Sequence, residues 1–313
     1  MHPQAAAAAF LLCCLTPLHA ASLLRVSCEG PDVGAQITVN GVFKGDCPLD
    51  IQVPEGAVDL RATKAVDANR ERVFQEQFRI GDGVVKKVEA TLGAPQLTSA
   101  ARRRLEQEFL RFKQAADAGD ADAMFRVAYR YEQGLGTAPS EADAQAWYLR
   151  GAEAGHADAM TNLAFRFQTG RGVAKDYAQA ADWYRKAADL GNTTAMNNLA
   201  ALYLGGSGVA KDPEAAVRLF EAAAAGGYAD AAANLGFNYA LGKVLPRNDA
   251  LALEWYRKAA ELGSPRGMYA VGTFYANGRV VPRDPEEALR WFRAAAAQNH
   301  GPAIEELKKR GAR

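Results

Sequence analysis

Residues 155–188 read GHADAMTNLAFRFQTGRGVAKDYAQAADWYRKAA, and the pattern in this stretch recurs along most of the chain. Its opening glycine belongs to a column, Gly119, Gly155, Gly191, Gly227 and Gly263, spaced 36 residues apart without insertion. Four residues after each stands Ala123, Ala159, Ala195, Ala231 or Gly267, and eight after stands Val127, Leu163, Leu199, Leu235 or Val271. Twelve after comes Tyr131, Phe167, Tyr203, Tyr239 or Tyr275. Further along, Trp147, Trp183, Leu219, Trp255 and Trp291 align, so all four tryptophans share one column. Each is followed by Tyr148, Tyr184, Phe220, Tyr256 or Phe292. A fixed period of roughly 20–50 residues is the signature of a stacked array.

The unit reads as two antiparallel helices. Ala159, Leu163 and Phe167 form a helix-period stripe. Gly170 and Gly172 then end that helix, because glycine tolerates positive φ. Ser140, Asp176, Asp212, Asn248 and Asp284 mark the start of each second helix, since their side chains can accept a backbone N–H bond there. Pro213 and Pro285 follow at the first helical position, where a missing N–H costs nothing. The second helix stops at the next unit's glycine, with Asn299 in that place after the fifth unit.

This string resembles the Sel-one-like repeat, a slightly longer relative of the tetratricopeptide repeat, over residues 119–298. The match departs at Leu219 in the tryptophan column and at Val244 and Val280, which replace a loop glycine. The resemblance implies an all-α right-handed solenoid of helix-turn-helix repeats that binds proteins. By analogy with the tetratricopeptide architecture, the first helices line a concave face at the positions six and ten after each glycine. Those positions hold Phe125 and Tyr129, Thr161 and Phe165, Asn197 and Ala201, Ala233 and Phe237, and Tyr269 and Thr273. The flanks read as caps: residues 94–118 as a linker and a lone second helix, and 299–313 as a lone first helix with a charged outer face. An array needs such polar ends.

Residues 1–20 read differently. Ala5 to Leu15 is an apolar run too short to span a bilayer, followed by small residues at Ala20 and Ala21, which predicts a cleaved signal peptide. Residues 21–93 alternate as short strands do, with Asn40-Gly41 as a hairpin signal and the set DIQV, AVDLRA, ERVFQEQFRI and VVKKVEATL beyond it. This segment resembles the PEGA domain, a compact β-sandwich, through Ala35-x-Ile37-x-Val39-Asn40-Gly41, Gly45-x-x-Pro48-Leu49 and Pro54-Glu55-Gly56-Ala57. That resemblance implies an envelope protein with an attachment or interaction role. Cys28 and Cys47, an even pair in an exported chain, suggest one disulfide; two buried thiols are the alternative.

Few residues are placed for chemistry. The formal charge of +1 offers no attraction to nucleic acid or anionic membrane. His156 and His300 lack partners at metal-ligand spacing, and no nucleophile–base set or phosphate loop is present. Asp122, Asp158 and Asp230 recur in register, at a place where a carboxylate suits the helix dipole. Neither cofactor nor metal is expected. The sequence therefore points to a two-domain, non-enzymatic, exported scaffold binding unidentified protein partners in the bacterial envelope, without membrane insertion after cleavage. Binding to peptidoglycan is the alternative. A β-lactam- or peptidoglycan-acting enzyme ranks last: the resemblance links β-lactam binding to cysteine-rich members of the repeat family, and these repeats contain no cysteine.

Overall fold

The computed structural model describes residues 22–81 and 83–311. The expected leader and its cleavage site lie outside the described residues. The chain divides between Leu105 and Glu106 into two compact units.

The N-terminal unit contains strands β1 (Ser22–Ser27), β2 (Gln36–Val39), β3 (Val42–Asp46), β4 (Leu49–Val53), β5 (Gly56–Ala65), β6 (Arg70–Ile80), β7 (Val85–Glu89) and β8 (Gln96–Leu97). One sheet has the order β4-β1-β7 and the other β3-β2-β5-β6-β8. Alternation explains the layers. Leu24 and Val26, Ile51 and Val53, and Val88 from the first sheet join Ile37, Val39, Val58, Leu60 and Ala62 from the second in a single core. Asn40 (φ 50°) and Gly41 (φ 79°) make the tight turn between β2 and β3, both central residues in the left-handed region. Cys28, just past β1, is bonded to Cys47, just past β3, across a Cα separation of 5.9 Å. That separation suits an undistorted bridge.

Two strands fall outside the expected set. β1 is the centre of its sheet and pairs in parallel with β7; the adjacent leucines Leu23 and Leu24 mask the alternation of its sequence SLLRVS. The stretch expected as a linker holds β8, which pairs with β6 through Arg70–Leu97 and Glu71–Gln96.

The helices are α1 (Ser99–Asp117), then α2 (Ala121–Gln133), α3 (Glu141–Glu153), α4 (Ala157–Thr169), α5 (Tyr177–Asp189), α6 (Thr193–Gly205), α7 (Pro213–Ala225), α8 (Ala229–Leu241), α9 (Asp249–Glu261), α10 (Pro265–Asn277), α11 (Pro285–Ala297) and α12 (Gly301–Lys309). Ser140, Asp176, Asp212, Asn248 and Asp284 each cap a second helix with the side chain. Gly119, Gly155, Gly191, Gly227 and Gly263 lie at φ between 85° and 101°, and Asn299 at 60°. The residue after each of these glycines is also a cap site. Asp120, His156, Asn192 and Ser264 accept N–H bonds there, His156 through Nδ1 from Ala159 N at 3.2 Å. His156 is thus a helix cap.

The core of the array runs along the residue after the tryptophans. Tyr148, Tyr184, Phe220 and Phe292 are almost fully buried, whereas Trp183, Trp255 and Trp291 are only partly so and Trp147 is the exception. Trp183 and Trp255 still pack against the core from its edge. Trp183 lies toward the surface under the Lys186 ammonium, 3.9 Å from the ring centroid.

The loop glycines show how units nest. A Cβ on Gly208 would lie 2.2 Å from the carbonyl carbon of Tyr177, and Gly208 sits at φ +69°. Where valine stands instead, the loop leaves a cleft beside the preceding second helix: about 560 Å³ at Val244 and about 580 Å³ at Val280. Val280 itself takes φ 70°, which is strained for a β-branched residue. Gly208→Ala should cost about 2–3 kcal/mol, combining left-handed strain with overpacking. Gly206→Ala, whose Cβ would meet only Lys211 at 3.4 Å, should cost about 1 kcal/mol. Denaturant melts compare the two, and equal losses would show that nesting against Tyr177 contributes nothing.

Candidate interaction surface

The positions ten residues after each register glycine project from the first helices. Tyr129, Phe165 and Phe237 are 46%, 46% and 48% exposed, large values for such rings. Helix geometry explains the exposure, because Val127, Leu163 and Leu235, two residues earlier, face the core with no exposure. Ala201 and Thr273 fill the same column in the other two units.

The positions six after each glycine differ from the open lining expected. Thr161, Asn197 and Ala233 are buried. Thr161 returns its hydroxyl to the Ala157 carbonyl at 2.9 Å, and Asn197 accepts from Asn234 Nδ2 at 2.9 Å. Phe125 is partly buried and stacks on His156 with centroids 4.9 Å apart. Tyr269 packs against Phe292 at 5.5 Å and His300 at 5.1 Å. This column fills gaps between helices because its side chains point toward the next unit. The accessible aromatic face is therefore Tyr129, Phe165 and Phe237, one ring on each of three first helices.

A polar ladder that the repeat columns did not reveal runs beside it. Asn198 donates to the Tyr184 hydroxyl (3.3 Å), Asn197 donates to Asn198 (3.1 Å), Asn234 donates to Asn197 (2.9 Å) and Arg266 donates to Asn234 (3.2 Å). Its members bond one another across four units, so it aligns the units. Two further ties join neighbouring units at one shared register: Arg171 pairs with Glu141 at 2.7 Å, and Arg279 pairs with Asp249. Asp249 is held well below the ordinary carboxylate range, first by the hydrogen bond from Arg279 and then by Arg247.

Among the described residues, no cluster of three or more His, Cys, Asp or Glu side chains could hold a metal ion. No helix there is long and apolar enough to cross a membrane. Tyr184 and Tyr148 carry hydroxyls pushed far above the ordinary tyrosine value by burial, and both bond within the array, Tyr184 to Gln168 at 2.7 Å and Tyr148 to Glu132 at 2.9 Å. They serve packing.

The Sel1 repeat matches residues 121–156, 157–192, 193–228, 229–264 and 265–300. The chain belongs to the Sel1 repeat family. Among solved structures, it is similar to c5321, described as a protective antigen present in uropathogenic Escherichia coli strains displaying an SLR fold. Identity there is 34%, the TM-score 0.59, and the match covers 65% of this chain and 44% of that protein, so less than half of the antigen is spanned. A Sel1 repeat protein from Oxalobacter formigenes is 30% identical with a TM-score of 0.58, over 64% of this chain and 88% of that one. No curated protein matches. Sel1 repeat solenoids are typically non-catalytic and commonly mediate protein–protein interactions.

Proposed function

We propose that this chain is a non-catalytic scaffold, exported to the bacterial envelope, that binds protein partners across the first-helix face of its Sel1 repeats. The exposed column Tyr129, Phe165 and Phe237 carries the reading. Aromatic rings left in water at one repeat register lose solvent on contact with a partner, and a few such anchors dominate interface energy. The apolar run in residues 5–15 and the PEGA-like pattern in 21–93 support export and an envelope address. N-terminal sequencing of the protein from an envelope fraction should begin near Ala21; an intact Met1 would overturn export.

Cross-linking in envelope lysate tests the face itself. A Tyr129→Ala/Phe165→Ala protein should lose its cross-linked partners while its melting temperature drops only slightly, because both rings are already half in water. Unchanged partner capture, or unfolding of the variant, would overturn the reading.

A second reading, attachment to cell-wall glycan, is favoured by the outer face of the five-stranded sheet. There Thr38, Asp59, Arg61, Glu71 and Gln75 line a groove of about 430 Å³. Phe43, 57% exposed, stands opposite Thr38 on the neighbouring strand. An exposed ring beside planar hydrogen-bonding groups suits a sugar. Sedimentation with purified peptidoglycan, abolished in Phe43→Ala/Arg61→Ala, would support it; no sedimentation of the parent protein would exclude it.

A further inference from the structure

We propose, resting on the scaffold reading above, that the first repeat unit is the acceptor for a particular partner chemistry: an acidic peptide segment that also carries aromatic residues. The observation is a cleft of about 600 Å³ between α1 and α2, lined by three arginines and three aromatic rings, Phe112 and Tyr129 among them. The Phe112 ring forms a surface on which guanidinium groups lie, with Arg126 Cζ 5.3 Å and Arg130 Cζ 5.0 Å from its centroid. Resting on the ring restricts two otherwise mobile side chains before any ligand arrives, so less entropy is lost on binding.

Charge sets the chemistry of the occupant. Arg130 pairs with Glu108 at 2.8 Å and Arg126 with Asp122 at 2.6 Å. Arg111 is exposed and makes no ion pair among the described residues. Three guanidiniums thus face two carboxylates, a local positive surplus on a chain whose overall formal charge is only +1. At the other end of the aromatic column the helix that carries Phe237 presents amides, Asn234 and Asn238, with the single guanidinium of Arg266 tied to Asn234. A guanidinium binds a carboxylate through two parallel N–H bonds, and the Tyr129 ring beside it is open to an apolar anchor. A basic segment would meet like charge there, and a purely apolar one would leave Arg111 unanswered.

The test is fluorescence anisotropy of the full chain with a short labelled peptide of alternating aspartate and phenylalanine. Two controls carry lysine for aspartate or serine for phenylalanine. The acidic aromatic peptide should bind best, with the lysine peptide weaker by about tenfold or more and the preference fading as salt rises. Arg111→Glu should weaken the acidic peptide by about tenfold, and Arg111→Lys, which keeps the charge but loses the fork, by less. Phe237→Ala should leave this binding unchanged. Arg111 is exposed, so both of its variants should melt with the parent protein. Equal binding of acidic and basic peptides, no binding at all, or indifference to Arg111→Glu would overturn the acceptor site. The scaffold reading fails separately, through unchanged cross-linking of the Tyr129→Ala/Phe165→Ala protein.

Discussion

Tyr184→Ala should lower the stability of the helical array by about 3–5 kcal/mol, the range for removing a large aromatic side chain from a close-packed core. Tyr184 has no exposed surface, and its neighbours Ala180, Ala181, Ala187 and Ala188 are too small to collapse into the space it would leave. Its hydroxyl adds a second loss. It donates to Gln168 of the same unit at 2.7 Å and accepts from Asn198 of the next at 3.3 Å. Truncation leaves both amides without that partner, and Asn198 is the first rung of the polar ladder that reaches Arg266. Each unit of a linear array buries its faces only against its neighbours, so the defect should uncouple the units before Tyr184 from those after it. The thermal transition should broaden or split. Trp183→Ala, one residue earlier but only partly buried, should cost about 1–3 kcal/mol and leave the transition sharp. Calorimetry of the two variants decides the matter; a larger loss for Trp183→Ala would return the main packing role to the tryptophan column. Tyr184→Phe isolates the hydroxyl, at about 1 kcal/mol.

What the sequence made legible here is whatever repeats. The helix pairs, their caps and their left-handed stops each recur five times, and local chemistry fixes them: Asp176 accepts from the N–H groups of Ala178 and Gln179 whatever lies beyond it. Column reasoning also located Tyr129, Phe165 and Phe237, because a helical register sets where a side chain points. It could not rank Trp183 against Tyr184, since both columns are aromatic and only packing shows which faces the next unit. It placed Thr161 and Asn197 in an open groove, where both are buried, Thr161 bonded back to its own helix and Asn197 to Asn234 of the next unit. Features that belong to one unit were invisible for the opposite reason. The buried Arg166 is aligned with Arg130 in one other unit only, while Leu202, Asn238 and Phe274 fill the same position in the rest, so no column marks it. In the strand-rich unit the hairpin at Asn40-Gly41 was legible. The central strand β1 was not, since a parallel pairing across 60 residues leaves no local mark.

Arg166 carries the second large expectation. It is 1% exposed, an uncommon place for a guanidinium, and each of its three nitrogens donates a hydrogen bond. Nε donates to Gln145 at 2.8 Å, Nη1 to Glu132 at 3.2 Å, and Nη2 to the Glu141 carbonyl at 2.9 Å and its carboxylate at 2.5 Å. All these acceptors sit on α2 and α3, whereas Arg166 sits on α4, so one side chain joins the first unit to the second. Arg166→Ala should cost about 3–5 kcal/mol, because a largely buried Glu132 loses a counter-ion that it cannot replace from water. Arg171, whose Nη1 lies 2.8 Å from Glu132, keeps the loss toward the lower figure. The pair itself is worth less than its removal costs, so Arg166→Leu/Glu132→Leu should recover much of what Arg166→Leu loses, and a double-mutant cycle measures that recovery. An Arg166→Leu protein as stable as the parent would show the cluster to be energetically idle. Acid reports on the same cluster independently. Arg171 first, and then Arg166, hold the Glu141 carboxyl below its ordinary value of 4.5. A carboxyl lowered in the folded state stabilises fully above its unfolded value, and that contribution disappears as pH falls through the lowered one. Stability should hold level from neutrality to about pH 5 and decline below it. The decline should be shallower in Arg166→Ala/Arg171→Ala, where Glu141 returns to its unfolded value and its protonation no longer distinguishes the two states. An acid limb of unchanged slope in that variant would place the titrating groups elsewhere, with Asp249 beside Arg279 the next to examine.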